Sequence, residues 1–251
     1  MPCRCFRFAV LWAWPFVATW FRFGSRPAIL PGVRTVSLII GIIFAGLIFC
    51  LFKAIETIDV PIAVLPYFTY PVLTGIAASL FGLEPLRWKG ILCAAVAFFG
   101  LALLINAHPA GLAFLGVIYA AGAACCRTGV LLVTRAYLVG ADARLTTWYS
   151  MLSSAGIFVA ASFARHAWTM PQTSVSWACL VAVSFASTAA ILLVFLSTVR
   201  IGPFRTAVIM HFEPLTATIL SAVVLGEVIT PVQGLGTAIM LAALIAFQLW
   251  R

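Results

Sequence analysis

Glu213 is the residue whose surroundings suggest chemistry most directly, because it is the single charged residue between positions 206 and 226. The residues around it are mostly apolar, so the segment is predicted to be a helix in apolar surroundings. An ionisable side chain in the middle of a membrane helix costs about 2.5–3.5 kcal/mol and should face a cavity or a partner. We therefore predict that Glu213 lines a substrate or proton pathway. The alternative is a protonated carboxyl that forms a structural hydrogen bond between helices.

His211 and Pro214 lie on either side of this carboxylate. Residues two apart on a helix point to different faces, so His211 is predicted to be a packing histidine. A proton relay is the alternative, because imidazole titrates near neutral pH. Pro214 has no backbone N–H and is predicted to leave the Met210 carbonyl without its helical hydrogen bond, kinking the helix toward the pathway. Pro66 and Pro71 are predicted to do the same in an earlier apolar segment.

Arg127 is a cation inside an apolar segment, roughly 7–8 Å from the segment's middle at 1.5 Å per residue. One interpretation is that its long side chain reaches the polar edge of the membrane. The other is that it pairs with an anionic substrate or with a buried carboxylate, and Glu213 is the carboxylate at comparable depth. On the pair hypothesis, mutations of the two residues should have coupled effects, whereas additive losses would contradict it.

Further polar and aromatic residues near the centres or ends of apolar segments are weaker pathway candidates, and each is more often a packing or interface residue. They are Arg7, Tyr67, Tyr70, Trp148, Tyr149, Ser187 and Thr188. Glu84 and Glu227 lie beside turns at segment ends. We interpret both as structural caps of the helix that follows.

No pattern typical of an enzyme or a cofactor site is present. The sequence has no HExxH motif, no Gly-rich phosphate loop, no nucleophile–base arrangement and no second histidine at metal-ligand spacing beside His211. None of the seven cysteines forms a CxxC pair, and most lie in apolar runs, where they are predicted to pack as small hydrophobic residues. We expect neither catalysis nor a bound metal or cofactor.

Composition indicates which elements must position these residues. The chain is 64% hydrophobic and 8% charged, whereas soluble domains carry roughly 25% charged residues. Its apolar runs are continuous and about 20 residues long, as membrane helices require, and do not alternate as barrel strands would. We predict an all-α polytopic membrane protein. Its nine predicted spans are 6–21, 34–53, 60–82, 89–106, 110–133, 145–164, 177–199, 203–226 and 231–250. No small-residue cleavage site follows the first run, so we interpret it as a span rather than a signal peptide.

The net charge of +9 arises mainly from basic residues in the short gaps between apolar runs. This distribution is typical of membrane topology signals and argues against a nucleic-acid-binding surface. With the C-terminus placed inside, the inner side carries Arg22, Arg26, Arg34, Arg87, Lys89, Arg135, Arg144, Arg200, Arg205 and Arg251. The outer side carries Arg4, Arg7, Lys53 and Arg165. This bias predicts a cell (inner) membrane protein with a cytoplasmic C-terminus.

Two proline–glutamate pairs share a spacing that predicts an internal repeat. Pro71 precedes Glu84 by thirteen residues, and Pro214 precedes Glu227 by the same number, with an offset of 143 between the pairs. The order of the predicted spans repeats at this offset as well. An odd number of spans in the parent repeat would invert the second copy, which is a common basis for alternating access.

The repeat has unequal halves, because predicted span 110–133 has no partner at this offset. We therefore predict an incomplete first repeat of four spans, 1–106, and a second repeat of five spans, 110–251. A design of five plus five spans is the expected parent.

The C-terminal part contains a series of turn and helix motifs. They are Arg200-Ile-Gly-Pro-Phe-Arg-Thr-Ala207, His211-Phe-Glu-Pro214, Leu225-Gly-Glu227, Thr230-Pro231 and Gly236. This series resembles the EamA domain of the drug/metabolite transporter superfamily, and the first half resembles it more weakly. The weaker matches are Pro71, Phe81-Gly-Leu-Glu84, Gly100 and residues 4–22, which resemble the family's second span. Two features depart from the family pattern: its first span is absent, and Arg127 replaces a usual aromatic residue eight positions before Arg135.

The resemblance implies a secondary transporter or exporter of small metabolites, such as amino-acid-like compounds or drugs. The substrate would bind between the two repeats near the bilayer midplane and cross by alternating access. The expected partners are this small molecule and the lipid bilayer, with no nucleic acid, and a homodimer is left open. Two alternatives are kept: a truncated remnant or fragment with a misassigned start that does not transport, and a membrane interaction subunit.

Overall fold

The computed structural model describes residues 32–85, 88–105, 113–164, 173–226 and 230–249, and every regular element in these ranges is an α-helix. The helices are α1 (Val33–Thr57), α2 (Val60–Tyr67), α3 (Tyr70–Leu80), α4 (Trp88–Ile105), α5 (Phe114–Tyr137), α6 (Ala143–Ala164), α7 (Ser174–Ile201), α8 (Pro203–Ile209), α9 (Phe212–Leu225) and α10 (Pro231–Leu249). The predicted all-α class is confirmed for this part of the chain. The predicted span 6–21 lies outside it.

Seven stretches of the described chain are long and apolar enough to cross a bilayer, as a multi-pass membrane protein requires. Helix α6 is not among them, although it is 22 residues long. Its composition explains this, because several hydroxyl residues interrupt its apolar run: Thr146, Thr147, Ser150, Ser153 and Ser154. The count of nine spans therefore stays a prediction.

Two predicted spans, 60–82 and 203–226, are each interrupted near their middle. Helix α2 ends at Tyr67 and α3 begins at Tyr70, while α8 ends at Ile209 and α9 begins at Phe212. Each new helix carries a proline in its first turn, where the first backbone N–H groups have no helical partner in any case. The prolines therefore account for the interruptions.

The backbone around the second interruption corrects one prediction. The carbonyl of Met210 does not lack a donor, because the N–H of Glu213 donates to it at 3.0 Å. A bond over three residues tightens the turn as in a 3₁₀-helix. The helix is interrupted at this point, but the carbonyl oxygen that was expected to be free accepts a local hydrogen bond.

The chain forms two compact units, Met1–Gly46 with Val133–Arg200 and Leu47–Leu132 with Ile201–Arg251. In the first unit α1 and α6 approach closely at Gly41, where an added Cβ would lie 2.1 Å from the carbonyl oxygen of Ser150. The hydroxyl of Ser154 donates to the Gly41 carbonyl at 2.6 Å. Small residues allow membrane helices such close contact, and their hydroxyls bond across it.

In the second unit α4 and α10 cross with their backbones in contact. A Cβ on Gly236 would lie 2.5 Å from the backbone nitrogen of Leu104, and one on Gly100 would lie 2.8 Å from that of Met240. Any side chain at either glycine would force the helices apart. The remaining helices of this unit carry the candidate site.

Candidate functional site

Arg127 lies within α5, in the second unit, and is only 9% exposed. Its Nη2 donates to the sulfur of Met210 at 3.2 Å, and its Cζ lies 5.9 Å from the centre of the Tyr70 ring. A thioether is a weak acceptor, and a ring face attracts a cation modestly. Among the residues that the structure describes, none accepts a hydrogen bond from the Nε of Arg127. The guanidinium therefore points into the protein, which contradicts the interpretation that it reaches the membrane edge.

The predicted ion pair between Arg127 and Glu213 is not formed within the described residues. Glu213 is exposed in the first turn of α9, and Met210, three residues earlier, occupies the position beside the guanidinium. The carboxylate still acts on Arg127 electrostatically. The hypothesis of a direct pair is wrong, because comparable depth along two helices does not place two side chains on facing sides.

Tyr70 forms the aromatic wall of this cluster and is completely buried. Its hydroxyl donates to the carbonyl of Ala207 at 3.4 Å, which links α3 to α8. The carbonyl of Tyr70 accepts from Thr74 Oγ1 at 2.7 Å and from Thr128 Oγ1 at 3.3 Å. The ring of Tyr67 lies 5.4 Å from that of Tyr70. The hydroxyl hydrogen bond and the contact with Tyr67 position the Tyr70 ring beside Arg127, and the carbonyl hydrogen bonds hold its backbone.

His211 lies in the second interruption and is completely buried, whereas Glu213 is exposed, so the prediction that they point to different faces is confirmed. Within the described residues neither ring nitrogen forms a hydrogen bond of good geometry, although the backbone carbonyls of Val208 and Ala207 lie close enough to interact with the ring. The ring packs against Phe68 at 5.6 Å. A buried imidazole with unsatisfied nitrogens is costly and needs an explanation, such as a ligand or an ordered water.

The other predicted residues do not join this cluster. Trp148 and Tyr149 are half-buried in the first unit, where the Tyr149 ring lies 5.8 Å from the Cζ of Arg34. Ser187 is half-buried, and Thr188 is buried and donates to a carbonyl of its own helix. Two predicted residues lie outside the described part of the chain: Arg7 and Glu227. Within the described part, no group of three or more metal-ligating side chains is placed to hold an ion.

Sequence reasoning missed four members of the cluster: Phe68, Thr74, Thr128 and Met210. Two of them follow from helical spacing, because Thr74 lies one turn after Tyr70 and Thr128 is adjacent to Arg127. The other two, Phe68 and Met210, lie within the interruptions. A search of the positions three and four residues before each of Pro71 and Pro214 would have found them.

Glu84 is a cap, as predicted, but of a helix far away along the chain. Its Oε2 accepts from the backbone N–H of Phe204 at 3.0 Å, in the first turn of α8. That N–H has no helical partner, and a carboxylate is favourable at the positive end of a helix. The described contact therefore assigns this cap to α8 rather than to the following helix α4.

The fold and the site define a helical multi-pass membrane protein with a buried cation in an aromatic cluster. The model of the EamA-like transporter family matches residues 114–248, more than half of the chain. This chain belongs to that family, within the drug/metabolite transporter superfamily, whose members are transporters rather than enzymes.

A solved structure supports the fold, whereas no curated protein sequence matches this chain significantly. One solved crystal structure superposes with a TM-score of 0.72 over 98% of this chain and 96% of the other, at 16% sequence identity. The likeness therefore extends over the whole fold and carries no information about substrates.

Proposed function

We propose that this protein is a secondary transporter of small metabolites and that Arg127 binds a carboxylate or similar anionic group of the substrate. The observation that carries the proposal is a buried guanidinium held by a thioether and a ring face. A charge removed from water is costly unless it is paired. Charge-assisted hydrogen bonds to a carboxylate are among the strongest available to arginine. A substrate anion would therefore displace Met210 as its partner.

The rest of the cluster suits the remainder of a small amphipathic substrate. The half-buried ring of Tyr67, packed against that of Tyr70, offers apolar surface near the cation, as binding sites for small molecules usually do. A neutral His211 would contribute one donor and one acceptor, and neither of its nitrogens forms a well-aligned hydrogen bond to a described residue. Amino-acid-like compounds combine a carboxylate with an apolar side chain and a polar amine, and are the class we propose.

The transport cycle that we propose is alternating access between two inverted repeats in the inner membrane, with the C-terminus in the cytoplasm. Support comes from family membership, from the Pro–Glu spacing and from the distribution of basic residues. We further propose that Glu213 couples transport to protons, since a carboxylate exposed on a membrane helix is stable only beside water or a partner. Family membership favours this function over that of a membrane interaction subunit.

Ligand-induced thermal stabilisation of the purified full chain tests the binding role of Arg127. A ligand at a hundred times its Kd adds about 2.7 kcal/mol of stability. We expect stabilisation by amino acids and none by the matching amines that lack the carboxylate. Arg127→Gln should weaken carboxylate affinity by about a hundredfold or more, since one partner of a buried charge pair is lost.

Two further variants separate binding from packing. Met210→Leu keeps the volume beside the guanidinium but removes its sulfur acceptor, so it should retain carboxylate binding. Lys53→Gln removes an exposed cation that pairs with Glu56, and it should behave as wild type. Carboxylate binding that survives Arg127→Gln unchanged would overturn the proposal.

Flux into proteoliposomes tests the transport cycle and the proton coupling. Glu213→Gln should abolish the pH dependence of substrate flux, and a pH profile equal to that of the wild type would rule out coupling through Glu213. Arg127 and Glu213 form no direct ion pair but interact electrostatically, so their separate effects on substrate flux should add except for a small coupling of about 0.5 kcal/mol.

A further inference from the structure

A cavity of about 800 Å³, separate from the Arg127 cluster, lies in the second unit where three helices begin or end. Its walls include residues from the start of α4, from one side of α8 and from the end of α10. Membrane helices begin and end at the headgroup region of the bilayer. The cavity is thus at headgroup depth, and the exposed ring of Trp88 at its mouth is typical of that level.

The cavity is amphipathic. Lys89 and Arg205 are its basic side chains, and Arg205 makes no hydrogen bond or ion pair to any residue that the structure describes. The apolar wall contains Phe204 and Phe247, whose rings meet edge to face at 5.7 Å. One carboxylate oxygen of Glu84, the acidic residue of the lining, already accepts from the N–H of Phe204.

The ring of Phe204 is closely packed where it forms part of this wall. An added Cβ on Gly75 would lie 2.8 Å from the ring, and one on Gly90 would lie 2.7 Å from it, so only glycines on the two other helices leave room for it. The ring therefore belongs to a well-packed wall beside the open space of the cavity.

We propose that this cavity binds one anionic phospholipid, with its phosphate at Lys89 and Arg205 and an acyl chain along Phe204 and Phe247. Basic pockets between membrane helices on the cytoplasmic side suit the headgroups of anionic lipids. The predicted topology places both cations on that side. A neutral lipid would satisfy the apolar wall but would leave the excess positive charge of the lining, two cations against one carboxylate, without a counter-charge.

Native mass spectrometry of the full chain in detergent measures the occupancy directly, with phosphatidylglycerol and phosphatidylcholine as probes. We expect the wild type to bind phosphatidylglycerol more tightly. The double variant Lys89→Gln with Arg205→Gln should weaken that binding by about thirtyfold. Each cation near a membrane surface contributes about 1 kcal/mol to the binding free energy, and both contributions are lost. The control Lys53→Gln, which removes a cation at the opposite predicted membrane face, should leave it unchanged.

A charge-conserving double variant, Lys89→Arg with Arg205→Lys, keeps the test decisive if the neutral variant does not fold. It should retain phosphatidylglycerol binding within about threefold, because both cations remain. Equal affinity of the wild type for the two lipids would overturn the proposal, as would unchanged binding in a folded neutral variant. Displacement of the lipid by soluble glycerol phosphate would also overturn it, in favour of a small-anion site. None of these readouts requires transport, so they are independent of the proposed function.

Discussion

Replacement of Gly202 by alanine tests how the second unit holds α8 in place. Gly202 precedes this helix with φ at 96° and ψ at 161°, a conformation that essentially only glycine adopts. A Cβ at this position would lie 1.4 Å from Oε1 of Glu84, closer than any non-bonded contact allows. Gly202→Ala must therefore change its own backbone, displace the Glu84 carboxylate, or do both.

The expected loss of stability follows from these two contributions. A non-glycine residue in such a backbone region costs about 1–3 kcal/mol. Losing the hydrogen bond from the N–H of Phe204 to the Glu84 carboxylate costs about 1.5–3 kcal/mol, because the acceptor is charged. We expect Gly202→Ala to destabilise the protein by about 2.5–6 kcal/mol, a large fraction of a typical folding free energy.

Thermal unfolding of the purified protein, followed by intrinsic tryptophan fluorescence, measures this loss. Gly234→Ala is the matched control, because it lies within α10 with no atom within 4 Å of an added Cβ. Alanine is the better helix former there by about 0.8–1 kcal/mol, so the control should be neutral or slightly stabilised.

Glu84→Ala distinguishes the two contributions. If the steric conflict with Glu84 is real, the loss from Gly202→Ala should be smaller in a Glu84→Ala background than in the wild type. The reasoning is refuted if Gly202→Ala unfolds at the same temperature as Gly234→Ala. If Gly202→Ala lowers the stability equally in both backgrounds, backbone strain at residue 202 alone accounts for the loss.

Three further variants probe contacts elsewhere. Gly236→Ala should cost about 1–3 kcal/mol in thermal unfolding, because the new Cβ meets the backbone of Leu104, which cannot yield as a side chain would. Gly41→Ala should cost a similar amount, about 1–3 kcal/mol, since its Cβ meets a carbonyl of α6; melting at the wild-type temperature would contradict either close approach. Burial alone would raise the pKa of Asp142, but hydrogen bonds from Arg144 outweigh this and lower the pKa below its usual 3.8. The ionised Asp142 therefore stabilises the fold at pH values above its unfolded-state pKa. This stabilisation is lost as the pH falls through the lower pKa of the folded state. The difference in melting temperature between wild type and Asp142→Asn should therefore shrink below about pH 4.

The helices were largely predictable because hydrophobicity and length determine membrane helices almost directly. Predicted span 89–106 differs from helix α4 by one residue at each end, and span 231–250 differs from α10 by one. The interruptions were predictable in kind from the prolines. Their exact extent was not, because it depends on which backbone N–H groups find new acceptors, as the N–H of Glu213 does at Met210.

The candidate site was predictable by residue type but not by partner. Arg127, Tyr67 and Tyr70 were identified as polar or amphipathic groups in apolar helices, and the structure brings them together. Depth along a helix can be estimated by counting residues, whereas the facing direction depends on the packing of helices distant in sequence. For the same reason, the Glu84 contact with Phe204, across 120 residues, could not be read from local capping rules.

The interruption before α9 explains why the cation lacks a carboxylate partner. On a continuous helix, Met210 and Glu213 would be neighbours on one face, three residues apart. Either could then approach Arg127, and the carboxylate would be the stronger partner. Because Pro214 ends the regular hydrogen bonding, Met210 contacts the guanidinium while Glu213 is exposed. If Arg127 binds a substrate anion, as we propose, the proline that interrupts the helix also keeps the guanidinium free of a direct carboxylate partner among the described residues.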